Sequence, residues 1–423
     1  MISGKKVKYV PKDAYDTLTP INTLLKMFSL TTLSRENSRL KVSYNWIKRI
    51  FIITALIIYT ILVTVGKVLK YFGNYGENKT FNIRFTDALQ VTYLLEFLQY
   101  IVDLKYVFKF GGYTSLKYFK LYEQIDDILG MTYNSIIKSK IYKATASICL
   151  LVIVSLALDF EAWALINGYD SHALYYSIDY VFFFINTLTI IDMCANVIQV
   201  EYRLKTIVDV LQDLYSATNN SLSVVNVVGD KSWLYFSKDK AVTRKIISSS
   251  KFLEYNHLND IVWLNKCYLL LIEQTAYINE IFGTRILINN SNQLFNIVNF
   301  INLAIRIFTG VIFPDGSPDT LFFLTITCIL RTICSAVNIA WLVYRCEQSY
   351  EQRATIVSIA DHMLVDKNIS ESMRRTLTEF RNLVDSRPIQ FTAMNFYPLD
   401  YGLVVSSASV VTTLTIIMLQ SLQ

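Results

Sequence analysis

The stretch Ile50–Val68 reads IFIITALIIYTILVTVGKV, a run of 19 residues in which Lys67 carries the only charge. A helix of roughly 20 mostly apolar residues crosses the hydrocarbon core of a bilayer, which is about 30 Å thick. This stretch therefore predicts a membrane-spanning helix.

The rest of the chain has the composition of a membrane protein. Of its 423 residues, 53% are hydrophobic and only 17% are charged, and the mean hydropathy is +0.35. Soluble domains carry about 25% charged residues. The net charge of +6 could suggest nucleic-acid binding. The Lys and Arg residues are instead concentrated before the first span and in alternate loops between the spans, so no nucleic-acid partner is expected.

Six further segments have the length and apolarity of spans, which predicts an all-α, seven-helix membrane bundle. The seven predicted spans are Ile50–Val68, Phe85–Phe110, Ala144–Trp163, Ala173–Val200, Asn290–Thr309, Leu321–Tyr344 and Pro398–Leu422.

Basic residues indicate which side of the membrane each loop occupies. Before span one and in the loops after spans two, four and six lie 32 of the 40 Lys and Arg residues, while the loops after spans three and five contain none. Cytosolic loops carry the excess of Lys and Arg. The N-terminus is therefore predicted in the cytosol and the C-terminus outside, opposite to a G-protein-coupled receptor.

Two segments outside the spans are predicted to be helical because apolar residues recur on one face. Lys251–Phe282 is expected to run straight into span five, and Glu347–Leu383 to be broken near Lys367–Ser370. The polar stretch Ser216–Lys240 is expected to be a flexible loop.

Polar residues follow helical spacing inside four spans. Charges at the bilayer centre are costly, so these faces point to partners or to water. Two interpretations remain open: interhelical hydrogen bonds that hold the bundle together, or a water-filled cavity open to the outside. The polar faces comprise Thr92, Glu96, Gln99 and Asp103; Asp179, Asn186 and Thr189; Arg285, Asn289, Asn292, Asn296, Asn299 and Arg306; and Arg331, Ser335 and Asn338.

Arg331 and Asp103 are predicted to be structural charges inside the membrane. Arg331 and Glu96 lie about twelve residues from the outer ends of their spans, which makes pairing possible, with Asp103 and Asp179 as other candidates. No enzyme, cofactor or metal is expected. The three histidines are scattered and no nucleotide or metal motif is present.

The end of the chain resembles a known family. Residues 391–422 read FTAMNFYPLDYGLVVSSASVVTTLTIIMLQSL. This is similar to the ending of insect gustatory receptors, in which a Leu-Asp lead-in precedes a span containing Thr-Tyr, five apolar residues and Gln-Phe. Thr413 and Gln420 match that pattern, whereas Leu414 and Ser421 replace its aromatic residues and Thr415 interrupts the apolar run.

The resemblance implies a homo- or hetero-tetrameric ligand-gated cation channel in the plasma membrane of sensory neurons, in contact with membrane lipid. It implies four regions: residues 1–49, a cytosolic tail; 50–345, the ligand-binding bundle with helical extensions; 346–395, cytosolic anchor helices; and 396–423, the pore-lining span. The expected pore and gate residues are Thr413, Ile416, Leu419 and Gln420.

The ligand is expected in the outer half of spans two to six, where aromatic walls meet convergent polar groups. A tastant, bitter or another plant compound, is the default ligand. The alternatives are an odorant receptor, a transporter or a G-protein-coupled receptor, and Trp163 could instead be an interfacial anchor. The predicted ligand residues are Tyr93, Glu96, Trp163, Tyr176, Asp179, Asn299, Arg306 and Thr325.

Overall fold

The computed structural model describes residues 14–36, 39–42, 46–73, 80–110, 113–130, 133–167, 171–222, 250–310, 318–365 and 369–420. In chain order, its elements are α1 (Ala14–Thr17), α2 (Thr19–Met27), β1 (Leu33–Glu36), β2 (Arg39–Val42), α3 (Trp46–Gly73), α4 (Thr80–Phe110), α5 (Tyr113–Leu129), α6 (Asn134–Asn167), α7 (Ser171–Leu222), α8 (Ser250–Phe308), α9 (Pro318–Val365), α10 (Glu371–Ser386), β3 (Thr392–Ala393), β4 (Tyr397–Pro398) and α11 (Tyr401–Gln420).

Each of the seven predicted spans falls in a helix: α3, α4, α6, α7, α8, α9 and α11. Within the described residues, α6, α7, α9 and α11 are long and apolar enough to cross a membrane, and Arg49–Leu62 of α3 is a shorter apolar segment. The all-α membrane bundle is therefore confirmed.

Three helices are much longer than a bilayer requires. At 1.5 Å per residue, the 59 residues of α8 extend about 88 Å. This gives the bundle two distinct ends. We call the end where α8 stops and α9 begins the loop end, and the opposite end, where α7, α8 and α9 continue together, the extension end. The prediction that Lys251–Phe282 continues into span five is confirmed.

α10 returns along the extensions and closes the apolar core there. Its first turn is capped by Ser370, whose hydroxyl accepts from the Met373 amide at 3.2 Å. Met373, Leu377, Phe380 and Val384 are buried on one face, as a stripe of three- and four-residue spacing requires. The predicted break between the two helical parts of Glu347–Leu383 is confirmed.

Some elements differ from the sequence expectation. The hairpin of β1 and β2, with α1 and α2, was not predicted within the N-terminal tail. α5 was also missed. Residues 216–222 of the expected loop continue α7, and the remainder, 223–240, lies outside the described residues.

The seven helices differ in how far the chain itself covers them. In its most apolar window, α7 is 83% buried, which makes it the central helix, whereas the α11 window is only 11% buried. α11 packs along α8 and α9 through a small cluster that includes Val411, Ile297 and Ile339. Most of its surface is therefore free to meet lipid or another subunit.

Candidate functional site

The extension half of the bundle holds a buried ion pair. Arg285 of α8 donates from Nε to Oδ1 of Asp103 on α4 at 2.7 Å. Gln99 donates to the same oxygen at 2.9 Å, and Thr189 of α7 donates to Oδ2 at 2.7 Å. Both Asp103 oxygens are thus engaged, and three helices are joined at this carboxylate.

Amides of α8 continue this pattern towards the loop end. Asn289 donates to the backbone oxygen of Asn186 on α7 at 2.9 Å. Asn296 donates to Oε1 of Glu96 on α4 at 2.9 Å, and the Glu96 side chain is buried. These are interhelical hydrogen bonds, so the first interpretation of the polar faces applies to these residues.

Arg331 of α9 lies among aromatic rings. Its guanidinium carbon is 4.1 Å from the ring centroid of Phe183, 5.0 Å from Phe300 and 5.5 Å from Tyr180. The residue is 3% exposed, and its Nε and Nη1 have no hydrogen-bond partner. Ring faces stabilise a desolvated cation by about 2 kcal/mol, but they do not satisfy its N–H groups.

The predicted pairing of Arg331 with Glu96, or alternatively with Asp103 or Asp179, is wrong. Asp103 pairs with Arg285, and Glu96 accepts from an amide of α8. In the part of the chain that the structure describes, no carboxylate lies within 4.0 Å of the Arg331 guanidinium. The three rings occupy the space around it instead.

Asp159 of α6 is a polar residue that sequence reasoning did not select. It is 2% exposed and lies beside Tyr180, Thr327 and Trp163, in the electrostatic field of Arg331. Its Oδ1 has no hydrogen-bond partner. A signal was present in the sequence, because Asp159 and Glu161 are the only charged residues in the predicted span Ala144–Trp163.

Six of the eight predicted ligand residues have described side chains. Glu96, Asn299, Arg306 and Thr325 are buried, whereas Trp163 and Asp179 are half-buried. The Thr325 hydroxyl donates to its own helix, and Trp163 packs on an apolar cluster at the loop end. The side chains of Tyr93 and Tyr176 lie outside the described residues.

A cavity of about 100 Å³ lies elsewhere, in the extension half between the N-terminal segment and the bundle. Tyr15 and Phe119 form part of its wall, and Asn22, Asp192 and Arg285 supply polar groups. None of the eight predicted ligand residues lines it.

A short hairpin leads into α11. β3 and β4 pair antiparallel, and the turn between them places Met394 and Asn395 at φ of 54° and 60°. Phe391, Ala393 and Leu399 are fully buried on its inner side. A Cβ atom added to Gly283 of α8 would lie 2.9 Å from the Met394 nitrogen. Only glycine permits this close approach of hairpin and helix.

Hydrogen bonds fasten this hairpin to two long helices. Asn279 of α8 donates to the backbone oxygen of Gln390 at 2.9 Å and accepts from Thr392 N at 3.1 Å. The Tyr350 hydroxyl of α9 likewise accepts from Phe391 N at 3.0 Å and donates to Phe391 O at 3.3 Å. Burial raises the pKa of Tyr350, so its hydroxyl keeps the proton that this double role needs.

The first turn of α11 is attached in the same way. Tyr401 N donates to Oε1 of Glu347 on α9 at 2.8 Å, and Leu403 N donates to Oδ1 of Asp400 at 3.2 Å. We call the hairpin, Asn279, Tyr350 and Glu347 together the hairpin clamp. The start of α11 is therefore attached to both α8 and α9.

The predicted pore residues lie on the sparsely covered part of α11. Thr413, Ile416 and Gln420 are exposed and Leu419 is half-buried, whereas Ser421 lies outside the described residues. The Thr413 hydroxyl donates to Ser409 O at 2.9 Å. Within the described ranges, no group of three or more His, Cys, Asp or Glu residues is placed to hold a metal ion.

Comparisons with known proteins cover nearly the whole chain. The sequence profile of a family described as 7tm Chemosensory receptor matches residues 18–421. No curated protein matches. The olfactory receptor OR5 from the insect Machilis hrabei superposes with a TM-score of 0.57 at 12% identity. Its complex with eugenol superposes with a TM-score of 0.51 at 10% identity. Each match covers 96% of this chain and 100% of the other.

Proposed function

The chain belongs to the 7tm chemosensory receptor family, and we propose that it is an insect gustatory receptor, a subunit of a ligand-gated, non-selective cation channel. The tastant would be a bitter or another plant compound. The observation that carries this proposal is the clamped, sparsely covered α11. Its sequence ends in the taste-receptor pattern, with Thr413 and Gln420 at the matching positions.

The ligand site of this proposal is the loop-end half of the bundle. There, buried polar residues and the half-buried Trp163 occur together on several helices, as binding sites require. The residues assigned to it are Tyr93, Glu96, Trp163, Tyr176, Asp179, Asn299, Arg306 and Thr325. Glu96 and Thr325 already make bonds within the bundle, so they would shape the site more than bind in it.

The pore of this proposal is formed by α11 from four subunits of the same or related chains. α11 combines small and hydroxyl side chains, which suit a wet wall or close helix contact. Ile416 and Leu419 would close the conduit by dewetting, and Thr413 and Gln420 would face the axis. The extension end would be cytosolic, with residues 346–395 as anchor, in the plasma membrane of sensory neurons.

An odorant receptor is the second candidate. The observation that favours it is the likeness to olfactory receptor OR5, one structure of which is a complex with eugenol. At 12% identity and below this likeness shows the fold alone. The ending of α11 favours the gustatory group.

Whole-cell recording from cells that express the chain tests the proposal. We expect a soluble plant compound to evoke an inward current that disappears when external sodium is replaced by a large organic cation. Tags at the two ends, stained before and after permeabilisation, test the orientation. Surface-expressed chain that conducts in response to no compound would contradict the channel assignment, and an N-terminal tag stained on intact cells would contradict the orientation.

A further inference from the structure

The cavity between the N-terminal segment and the bundle contains a carboxylate that forms no ion pair. Asp192 of α7 lines this cavity, and its Oδ1 accepts from Asn196 Nδ2 at 3.3 Å. Among the described residues, no Lys, Arg or His nitrogen lies within 4.0 Å of this carboxylate and nothing donates to its Oδ2. Arg285 also lines the cavity, but it is bonded to Asp103 at 2.7 Å. Two carboxylates thus share one guanidinium, which leaves a net negative charge.

The orientation of the Asn196 amide is fixed by a neighbouring hydroxyl. Tyr118 donates to Asn196 Oδ1 at 2.6 Å, so Nδ2 is the group that faces Asp192. This single bond from a neutral amide does not neutralise the carboxylate. A buried carboxylate is stable in its charged form only when a cation compensates it.

Asn22 of α2 supplies a second polar group to the cavity. The residue is 9% exposed, and its Nδ2 has no hydrogen-bond partner. Buried polar groups are nearly always hydrogen-bonded, so this donor marks the position of an acceptor that the chain itself does not provide. The cavity therefore offers an anionic acceptor from α7 and a neutral donor from α2.

Aromatic rings form much of the remaining wall. Tyr15 and Phe119 meet edge to face with ring centroids 5.4 Å apart, and Phe119 meets Tyr118 in the same way at 5.2 Å. Rings and a carboxylate around one space favour an ammonium group, because a ring face attracts a cation. The rings that line the cavity are Tyr15, Tyr106, Phe110, Tyr118, Phe119 and Phe282.

The size of the cavity limits the occupant. A cavity of about 150 Å³ admits benzene, which has six heavy atoms. The volume here is about 100 Å³, which suits a compound of about four heavy atoms. A phosphate group attached to such a compound would exceed this space.

We infer that this cavity binds a free amino alcohol of the size of ethanolamine. Its ammonium group would pair with Asp192 among the rings, and its hydroxyl oxygen would accept from Asn22. The site is separate from the proposed tastant site, since none of the eight residues assigned there lines this cavity.

Thermal unfolding of the purified, fluorescently tagged full-length chain in detergent tests this inference. A bound compound raises the midpoint in a saturable way, which gives its dissociation constant. We expect ethanolamine to bind at neutral pH. Propan-1-ol replaces only the ammonium group and should bind about tenfold more weakly or worse, whereas propylamine replaces only the hydroxyl and should bind about threefold to tenfold more weakly.

Substitutions then locate the binding. Asp192→Asn should weaken ethanolamine binding about tenfold or more. Asn22→Leu should weaken ethanolamine binding about threefold or more and leave propylamine binding unchanged, because propylamine has no hydroxyl for Asn22. Asp213→Asn is the matched control, an exposed carboxylate on the same helix as Asp192, and ethanolamine binding should stay as in the natural chain.

The outcomes decide the inference whether or not the chain conducts, because binding is measured on the purified chain. Absence of saturable ethanolamine binding, equal binding of ethanolamine and propan-1-ol, or unchanged binding in Asp192→Asn overturns it. Tighter binding of glycerophosphoethanolamine than of ethanolamine overturns the free compound and assigns the same group to a lipid headgroup. If Asp192→Asn does not fold, the three compounds on the natural chain decide.

Discussion

The two halves of the bundle differ in how their buried arginines are paired. In the extension half, Arg285 bonds Asp103 at 2.7 Å and Arg203 bonds Asp126 at 2.8 Å. In the loop half, Arg331 and Asp159 remain incompletely bonded. Removal of one member of a buried pair leaves the other charge uncompensated, whereas Arg331 has no described carboxylate partner that its removal would leave behind.

The largest expected effect comes from breaking the satisfied pair. Arg285→Ala leaves Asp103 buried without its partner, which costs about 3–5 kcal/mol. Arg331→Ala removes ring contacts but no ion pair, and should cost about 2 kcal/mol. Heating of the detergent-solubilised, fluorescently tagged chain, followed by size exclusion, measures the difference. Equal losses in both variants would remove the distinction between the halves.

A smaller effect is expected where the hairpin before α11 meets α8 at Gly283. Gly283→Val places side-chain atoms against the Met394 backbone, and overpacking of this kind costs about 1–3 kcal/mol. Gly402→Ala is the control, because its added Cβ would meet only the Asp400 side chain, so at most the bond from Leu403 N to Asp400 Oδ1 would be lost. The same thermal assay should show a lower midpoint for Gly283→Val than for Gly402→Ala.

Replacing two asparagines of α8 by leucine should change stability in different ways, and this difference tests the comparison. Asn289→Leu loses the bond to Asn186 and should destabilise by about 1 kcal/mol. Asn302 is 3% exposed and neither Nδ2 nor Oδ1 has a partner. Asn302→Leu should therefore leave stability unchanged or raise it by about 1 kcal/mol. A clear loss of thermal stability in Asn302→Leu would show that this amide is satisfied, by water or lipid.

The smallest effect on stability is expected at the end of α11. Gln420 is exposed, so Gln420→Cys should leave the thermal midpoint within about 0.5 kcal/mol of the natural chain. If this residue faces the pore near the outer surface, an external thiol reagent should alter the current, and faster while the channel is open. Unaltered current after demonstrated labelling would exclude Gln420 from the conduction path.

Much of the fold could be predicted from the sequence because the length of an apolar segment, and the spacing of apolar residues along it, depend only on neighbouring residues. The seven spans, the continuation of Lys251–Phe282 into span five and the break near Lys367–Ser370 all follow from such patterns. The hairpin of β1 and β2 gave no comparable signal. Its strands are four residues each and carry Arg35, Glu36, Arg39 and Lys41.

The polar faces could be predicted, but their partners could not. Span ends place Arg331 and Glu96 at similar depth, yet α4 packs chiefly against α8 and α7, and α9 against α7, α8 and α6. Spacing along one helix carries no information on the order of helices around the bundle. Arg285 was recognised as polar, and its partner Asp103 became evident only in three dimensions.

The hairpin clamp has a consequence for biosynthesis. The groove that receives Phe391, Ala393 and Leu399 is built by α8 and α9, which are complete before these three residues leave the ribosome. A chain released before residue 391 therefore presents an empty apolar groove next to Gly283. Truncated chains would expose this surface to chaperones, whereas a full-length chain covers it itself. Seating of residues 391–399 in this groove thus completes the apolar packing at the start of α11.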